Sequence, residues 1–202
     1  MHPSGTRDGP QTRPADHRLH ALEEQDVALE DFACGGRILD IGGGGEGVIG
    51  ELKGSSVVAI DRRRAELEQS PPGPLKITMD ARELQFLDGT FHCATAFFAF
   101  CFVPGGDHEL VMREAFRVLR SRGDFLIWDL IAPPRSNGEQ DILVIPLVIR
   151  LPHRQITTSY AVSWPLEGRD GSYYLRLAED VGFELISRQE RGRVFHLHLR
   201  KP

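Results

Sequence analysis

The sequence has few cysteines, no excess of basic residues and no long apolar run, and each absence excludes a class of protein. Its three cysteines, Cys34, Cys93 and Cys101, lack the CxxC spacing of zinc sites and do not form a disulfide framework. The formal net charge of -5 does not fit a nucleic-acid binder, whose surface is usually basic. No apolar stretch approaches membrane-spanning length and no secretory leader is evident, so we predict a cytoplasmic protein with no membrane or nucleic-acid partner.

The composition is that of a globular protein: 41% of the 202 residues are hydrophobic and 26% are charged. Residues 1–15, rich in Pro, Gly, Ser, Thr and Arg, predict a mobile tail, and we place a single domain over residues 16–202. Residues 16–36 predict an N-terminal helix, capped by Asp16, that either closes over a ligand or only covers the sheet. The apolar residues at roughly helical spacing in it are Leu19, Leu22, Val27, Leu29 and Phe32.

Short apolar runs alternate with more polar segments through the rest of the chain, which is typical of βαβ units around a parallel sheet. The predicted strands of this sheet lie at Arg37–Ile41, Ser56–Ile60, Lys76–Met79, Phe91–Phe100, Asp124–Leu130, Phe183–Arg188 and Arg193–Arg200, with helices at His108–Leu119 and Ser172–Val181. Two further runs, Ile142–Arg150 and Gln155–Trp164, predict a β-hairpin inserted after the fifth strand, over residues 141–165.

A cluster of glycines follows the first of these strands in the stretch RILDIGGGGEG. Gly42, Gly44 and Gly47 satisfy GxGxxG, and Asp61 closes the next strand. Such a turn lets a ligand lie against bare backbone, and the aspartate can accept hydrogen bonds from ribose hydroxyls. The motif alone fits both a nicotinamide dinucleotide and S-adenosylmethionine. Gly50 falls in the helix that follows, where alanine should be tolerated.

Three acids at successive strand ends favour the second of these ligands. Asp40 lies just before the glycines, where a carboxylate would repel a pyrophosphate but suits the ammonium group of a methionine moiety. Asp61 ends the second strand, and Asp80 follows the third, in a position to receive an adenine amino group. This set fits a cationic amino-acid nucleoside better than a dianionic dinucleotide.

The segments RILDIGGGGEG, VVAID, MDARELQF, DGTFHCATAFFAF and REAFRVLRSRGDFLIWD, in this order, resemble the class I S-adenosylmethionine-dependent methyltransferase family. The resemblance is close from Arg37 to Asp129 and looser from Ser172 to Pro202. It implies an α/β fold with a Rossmann-like, doubly wound sheet of seven strands in the order 3-2-1-4-5-7-6, strand 7 antiparallel. The cofactor-binding residues that it implies are Asp40, Ile41, Gly42, Gly43, Gly44, Asp61, Arg62, Asp80, Ala81 and Phe97.

The resemblance implies methyl transfer from S-adenosylmethionine to an acceptor, which we expect to be a small molecule. The transfer is an in-line displacement that needs no metal, so the sequence identifies no catalytic residue. Candidates for a general base are His108, Glu109 and His153. The chain departs from the family at Glu46, which stands where the third alternate glycine is usual.

Two other functions fit the same pattern. One is a non-catalytic S-adenosylmethionine-binding module or partner subunit, in which Glu46 has altered the glycine loop. The other is a nicotinamide-dependent oxidoreductase, although Tyr173 and Tyr174 lack the lysine of a YxxxK pair. In the inserted hairpin, Tyr160 and Trp164 fit either a substrate pocket or a homodimer surface, and the sequence does not separate the two.

Overall fold

The computed structural model describes residues 17–134, 139–164 and 168–202. The predicted tail of residues 1–15 and the predicted helix cap Asp16 lie outside the described residues. Within the described ranges, no helix is long and apolar enough to cross a membrane.

The described residues form two β-sheets and four α-helices. The strands are β1 (Leu19–Ala21), β2 (Gln25–Ala28), β3 (Ile38–Ile41), β4 (Val57–Asp61), β5 (Leu75–Thr78), β6 (Phe91–Phe97), β7 (Leu119–Leu130), β8 (Ile142–Arg150), β9 (Gln155–Ser163), β10 (Glu184–Arg191) and β11 (Val194–Arg200). The helices are α1 (Val48–Lys53), α2 (Arg64–Gln69), α3 (His108–Val118) and α4 (Gly171–Val181).

Seven strands form the larger sheet, in the order β10-β11-β7-β6-β3-β4-β5. Numbered along the chain, this is the predicted order 3-2-1-4-5-7-6 read from the other edge. Strands β3 to β7 pair in parallel, whereas β11 is antiparallel to both β7 and β10. The predicted fold class is therefore confirmed, including the antiparallel seventh strand.

The central strand β6 shows why this sequence forms such a sheet. Its apolar run is buried on both faces, as is usual for a strand covered on both sides in a parallel sheet. The strand ends at Phe97, three residues earlier than predicted, because Phe98 adopts a left-handed backbone with φ of 48°. The next residues form a short 3-10 turn at Phe100–Phe102.

The smaller sheet is built around the inserted hairpin. Strand β9 pairs antiparallel with β8 along its whole length, from Ile142 opposite Ser163 to Arg150 opposite Gln155, so the predicted hairpin is confirmed. On the other edge of β8, the short strands β1 and β2 pair with it in parallel, one after the other.

The predicted N-terminal helix is wrong, because residues 17–36 contain β1 and β2 and no helix. The apolar residues that suggested a helix are used with the period of a strand: Val27 and Leu29, two apart, are both buried. The edge of β8 offers unpaired backbone groups, and extended segments satisfy them where a helix would not. The expectation that a helix closes over the ligand fails with it.

The two sheets and the helices form layers around the larger sheet. One face packs against the smaller sheet through residues such as Leu143, Ile145 and Leu147. The opposite face packs against α3 and α4, where Val111 and Tyr174 are fully buried. In a sheet of this kind, a ligand is expected to bind at the carboxyl ends of the parallel strands, here β3 to β6.

Helix α1 contains Gly50, as predicted, but the expectation that alanine is tolerated there is wrong. A Cβ atom at this position would lie 2.5 Å from Cγ of Pro74. Alanine would therefore push α1 away from the loop that leads into β5, which outweighs its better helix propensity.

Candidate functional site

A cavity of about 280 Å³ opens at the carboxyl ends of β3, β4, β5 and β6. The residues that line it are Ile41, Gly42, Gly44, Gly45, Glu46, Ile60, Asp61, Arg62, Arg63, Glu66, Met79, Asp80, Ala81, Arg82, Phe97, Phe98, Ala99, Phe102, Val103, Pro104, Val111 and Tyr160. Parallel strands bring these loops to one edge although they are distant in sequence. The lining includes all of the residues predicted for the cofactor except Asp40 and Gly43.

The glycine loop is held against β4 by its own backbone. The amides of Gly42 and Gly43 both donate to the carbonyl of Ile60, at 2.9 and 3.0 Å. Gly42 has a φ of 74°, a conformation that favours glycine, and a Cβ there would lie 2.8 Å from Cβ of Ala99. The turn therefore brings bare backbone to the edge of the cavity.

Gly44 faces the protein as well as the cavity. A Cβ at this position would lie 2.5 Å from Cβ of Glu66 and 3.0 Å from Oδ2 of Asp61. A larger residue would clash with the protein before any ligand was bound. Substitution of the loop glycines therefore tests packing and binding together, and does not separate them.

Asp61 ends β4 and lies half-buried at the middle of the cavity. Its Oδ1 accepts a hydrogen bond of 2.8 Å from the amide of Arg63, which fixes the carboxylate at the start of α2. A carboxylate has about four lone-pair positions. The carboxylate thus keeps acceptor capacity for a vicinal diol in the cavity.

Asp80 lies at the far end of the cavity in a tight pair with Arg82. Nη2 of Arg82 is 2.6 Å from Oδ2 of Asp80, and its Nη1 is 2.8 Å from Oδ2 of Asp107. Hydrogen bonding to this guanidinium lowers the pKa of Asp80. Arg82 was not among the predicted site residues. It holds the carboxylate of Asp80, which was predicted to receive the adenine amino group.

Asp40 lies behind the glycine loop, only 2% exposed, and does not line the main cavity. It borders a small void of about 20 Å³, together with Gly43 and Tyr160. The hydroxyl of Thr95 donates to its Oδ1 at 2.8 Å, and no basic side chain of the described residues forms an ion pair with it. Burial, with a further contribution from the charge of Asp61, raises the pKa of Asp40 to about 7.

Strand β9 of the hairpin contacts Glu46 in the glycine loop, at the edge of the cavity. In the sequence, Glu46 was only a departure from the family pattern. The hydroxyl of Tyr160 donates to Oε2 of Glu46 at 2.9 Å, and the hydroxyl of Thr158 donates to Oε1. Burial and the nearby Glu46 carboxylate raise the pKa of Tyr160 well above its ordinary value, so the phenol stays protonated. These contacts tie the glycine loop to β9.

Phe97 and Phe98 form the wall where β6 ends. Their rings meet edge to face with centroids 5.1 Å apart, and the ring of Phe98 lies 5.8 Å from that of Tyr160. The amide of Phe98 donates to the carbonyl of Trp128 at 2.7 Å, which holds the strained backbone in place. Backbone strain of this kind is often found beside binding sites.

The residues considered as a general base do not line the cavity. His108 is buried: its Nε2 lies 3.1 and 3.0 Å from two carbonyl oxygens, of Phe100 and Val103, and therefore carries the hydrogen. Burial lowers the pKa of this histidine. Its hydrogen bonds to the two carbonyls hold the loop after β6 in place. Glu109 pairs with Arg113, and His153 is exposed in the turn between β8 and β9.

The side chains of the two hairpin residues, Tyr160 and Trp164, point into the protein, and the homodimer stays a prediction. Trp164 is 2% exposed and packs in the core between the two sheets. Tyr160 is partly buried and lines the cavity. Neither side chain is presented on the outer surface of the protein.

Comparison with known proteins agrees with this geometry. Residues 39–127 match the family described as a methyltransferase domain, and no curated protein matches the chain. A solved S-adenosylmethionine-dependent methyltransferase from Mesorhizobium loti is 16% identical with a TM-score of 0.58, and the match covers 83% of this chain and 92% of that one. Another, from Methanosarcina mazei, is 20% identical with a TM-score of 0.59, and the match covers 82% of this chain and 92% of that one.

The structure of the cyclase SpnF is similar to the same degree. It is 14% identical with a TM-score of 0.58, and the match covers 84% of this chain and 75% of that one. At such identities the likeness to solved structures shows the fold alone.

Proposed function

We propose that the protein transfers a methyl group from S-adenosylmethionine to a small-molecule acceptor. The methyltransferase-domain match and the methyltransferases of the same fold support the class I S-adenosylmethionine-dependent family and this cofactor. The observation that carries the proposal is the set of three acids at the ends of adjacent strands: Asp61 and Asp80 line the cavity, and Asp40 lies buried behind the glycine loop that borders it. A dinucleotide with two phosphates would meet these carboxylates with unfavourable electrostatics.

Each acid suits one part of the cofactor. Asp61 is the acceptor for the ribose hydroxyls, and Asp80 with Ala81 lies where the adenine is expected. Asp40 is buried without an ion pair among the described residues, and a cationic amino group near the glycine loop would compensate its charge. The residues that are present therefore fit S-adenosylmethionine.

The cofactor supplies a methyl group already activated by its sulfonium. The protein has to align an acceptor with that carbon and exclude water. Phe98 and Tyr160 supply apolar walls beside the glycine loop, and Glu46 supplies a carboxylate in the same place. No general base is required by acceptors that are already deprotonated.

Titration calorimetry with S-adenosylmethionine, S-adenosylhomocysteine and NADPH tests the proposal. We expect saturable binding of the first two ligands, and none of NADPH. Binding of NADPH in preference to the other two would overturn the proposal in favour of an oxidoreductase. Transfer of labelled methyl from the cofactor to a panel of small molecules tests turnover. Binding without transfer to any of them would favour the alternative, a non-catalytic cofactor-binding module or partner subunit.

The small-molecule nature of the acceptor, the cytoplasmic location and a homodimer through the hairpin stay predictions from the sequence. The inward direction of Tyr160 and Trp164 leaves such a dimer to the outer surface of the hairpin. Sedimentation at several protein concentrations checks this prediction, since a dimer would dissociate on dilution.

A further inference from the structure

A groove of about 430 Å³ adjoins the cofactor cavity and shares a wall with it. It runs between α2 and β9, and the residues that line it are Gly45, Glu46, Arg63, Glu66, Gln69, Phe102, Ser159, Tyr160 and Ala161. Six residues line both spaces, so a molecule in the groove reaches the cavity along a shared wall: Gly45, Glu46, Arg63, Glu66, Phe102 and Tyr160.

The charges in the groove are unequal. Arg63 and Glu66 neutralise one another, with Nη2 and Oε1 3.1 Å apart. Glu46 accepts hydrogen bonds from the neutral hydroxyls of Thr158 and Tyr160, and no cation of the described residues pairs with it. Two of its roughly four lone-pair positions are used, so the carboxylate can take a further, charged donor.

An aromatic surface lies beside this carboxylate. Phe102 lines the groove and is 46% exposed, so part of its ring is open to a ligand there. Its ring meets that of Tyr160 edge to face, with centroids 6.0 Å apart. Aromatic rings next to an uncompensated carboxylate attract an organic cation by two independent effects, charge pairing and the cation–π interaction.

The geometry points to this groove as the binding site of the methyl acceptor, and to a small molecule with a primary or secondary amine as that acceptor. The inference rests on the proposed function. The ammonium form of the acceptor binds at Glu46 and gives a proton to the carboxylate. The nitrogen lone pair then forms the bond to the methyl carbon, while the carbon–sulfur bond breaks and its electron pair stays on sulfur. The product is the methylated ammonium ion, and Glu46 returns its proton to water.

Three probes with the same phenylethyl group test the chemistry: 2-phenylethylamine, 2-phenylethanol and 3-phenylpropionate. Each is titrated by calorimetry into the protein saturated with S-adenosylhomocysteine. We expect the amine to bind at least about tenfold more tightly than the alcohol, and the carboxylate to bind most weakly. Equal or tighter binding of 3-phenylpropionate would overturn the inference and make Arg63 the anchor.

Two variants separate the charge of Glu46 from its contact with the hairpin. Glu46→Gln keeps the shape but loses the charge, and should bring amine binding down to the level of the alcohol. Thr158→Val loses a hydrogen bond to Glu46 but keeps the charge, and it should retain amine binding because Thr158 does not line the groove. The control is Glu68→Gln, on α2 outside the groove lining, whose carboxylate pairs with Arg64 at 2.7 Å.

Equal loss of amine binding in Glu46→Gln and Thr158→Val would overturn the inference, because Glu46 would then act only by holding the hairpin. Failure of the wild-type protein to bind S-adenosylhomocysteine would sink the proposed function and this inference together. Cofactor binding without any preference for the amine would sink this inference alone. Labelled methyl transfer to 2-phenylethylamine, lost in Glu46→Gln and kept in Glu68→Gln, would support it further.

Discussion

The two sheets contribute different chemistry to the same cavity. The larger sheet supplies the bare backbone of the glycine loop and the carboxylates at the ends of its parallel strands, such as Asp61 and Asp80. The smaller sheet supplies Tyr160 and the hydroxyl of Thr158 from the outer strand of a hairpin. Glu46 joins the two halves.

This difference assigns a separate task to each half. The ends of β3, β4 and β6 are held by hydrogen bonds to strands on both sides, so the groups that they carry are suited to a cofactor of constant shape. Within the described residues β9 pairs with β8 alone, and its Tyr160 meets the cavity through a side chain rather than through the backbone. We therefore expect substitutions in the first half to act on cofactor binding, and those in the second to act on the acceptor and on the hairpin.

The largest effect is expected for Asp61→Ala, in the half that binds the cofactor. Loss of the carboxylate should weaken S-adenosylmethionine binding by about 1.5–3 kcal/mol, the usual range for hydrogen bonds to a charged group. Calorimetry measures it, with circular dichroism to check the fold. Asp88→Ala, at an exposed aspartate outside the cavity lining, is the matched control and should bind normally. An unchanged dissociation constant for Asp61→Ala would remove this residue from the site.

A smaller effect is expected from the protonation of Asp40, whose pKa in the free protein is about 7 because of burial. A cationic ligand favours the ionised carboxylate, so affinity should fall as pH falls below 7, by about tenfold between pH 8 and pH 6. Titrations at both pH values in the wild type and in Asp40→Asn check this. The variant should bind weakly at both, without the pH dependence. A wild-type affinity that is flat with pH would contradict a direct role for this charge.

The same group predicts the pH dependence of stability in the ligand-free protein. The pKa of Asp40 in the folded protein lies above its value of 3.8 in the unfolded chain. Its contribution to the stability of the folded protein is therefore fully present below about pH 4 and is lost as pH rises through about 7. Asp40→Asn cannot ionise. Its melting temperature should therefore fall less than that of the wild type between pH 5 and pH 8, and an equal fall in both proteins would contradict the assignment.

The smallest effect is expected from Tyr160→Phe, in the hairpin half. The variant loses one hydrogen bond to Glu46 and keeps its packing, so unfolding should become easier by about 1 kcal/mol. Urea denaturation of the single variants and of the double variant with Glu46→Gln measures the coupling between the two residues. Additive losses would show that the two side chains do not interact in solution.

The larger sheet could be predicted because its signals are local. The glycine loop, the acid after each strand and the buried run of β6 can each be found within a few neighbouring residues of the sequence. The strand order then follows from the resemblance to a known family, and the structure has the same order. Eight of the ten residues that the resemblance implied line the cavity, but others that line it, such as Arg82 and Glu66, were not predicted. The pairing of Arg82 with Asp80 depends on the conformation of the loop after β5.

Strands β1 and β2 of the smaller sheet, unlike its hairpin, could not be predicted because their contacts are distant in sequence. Strands β1 and β2 have few residues each, and what makes them strands is the edge of β8, more than a hundred residues later. Tyr160 and Glu46 are likewise 114 residues apart. The sequence did contain one signal of this contact, Glu46, because a charged residue in a glycine loop indicates a partner elsewhere in the fold.

Hydrogen–deuterium exchange with and without S-adenosylhomocysteine tests most directly whether both halves form one site. The account predicts slower exchange on binding at the glycine loop, at the residues that follow Asp61, and also at β9 around Tyr160. Exchange in β10, which lies at the far edge of the larger sheet, should not change. Protection confined to the larger sheet, with β9 unaffected, would contradict the claim that the hairpin completes the site.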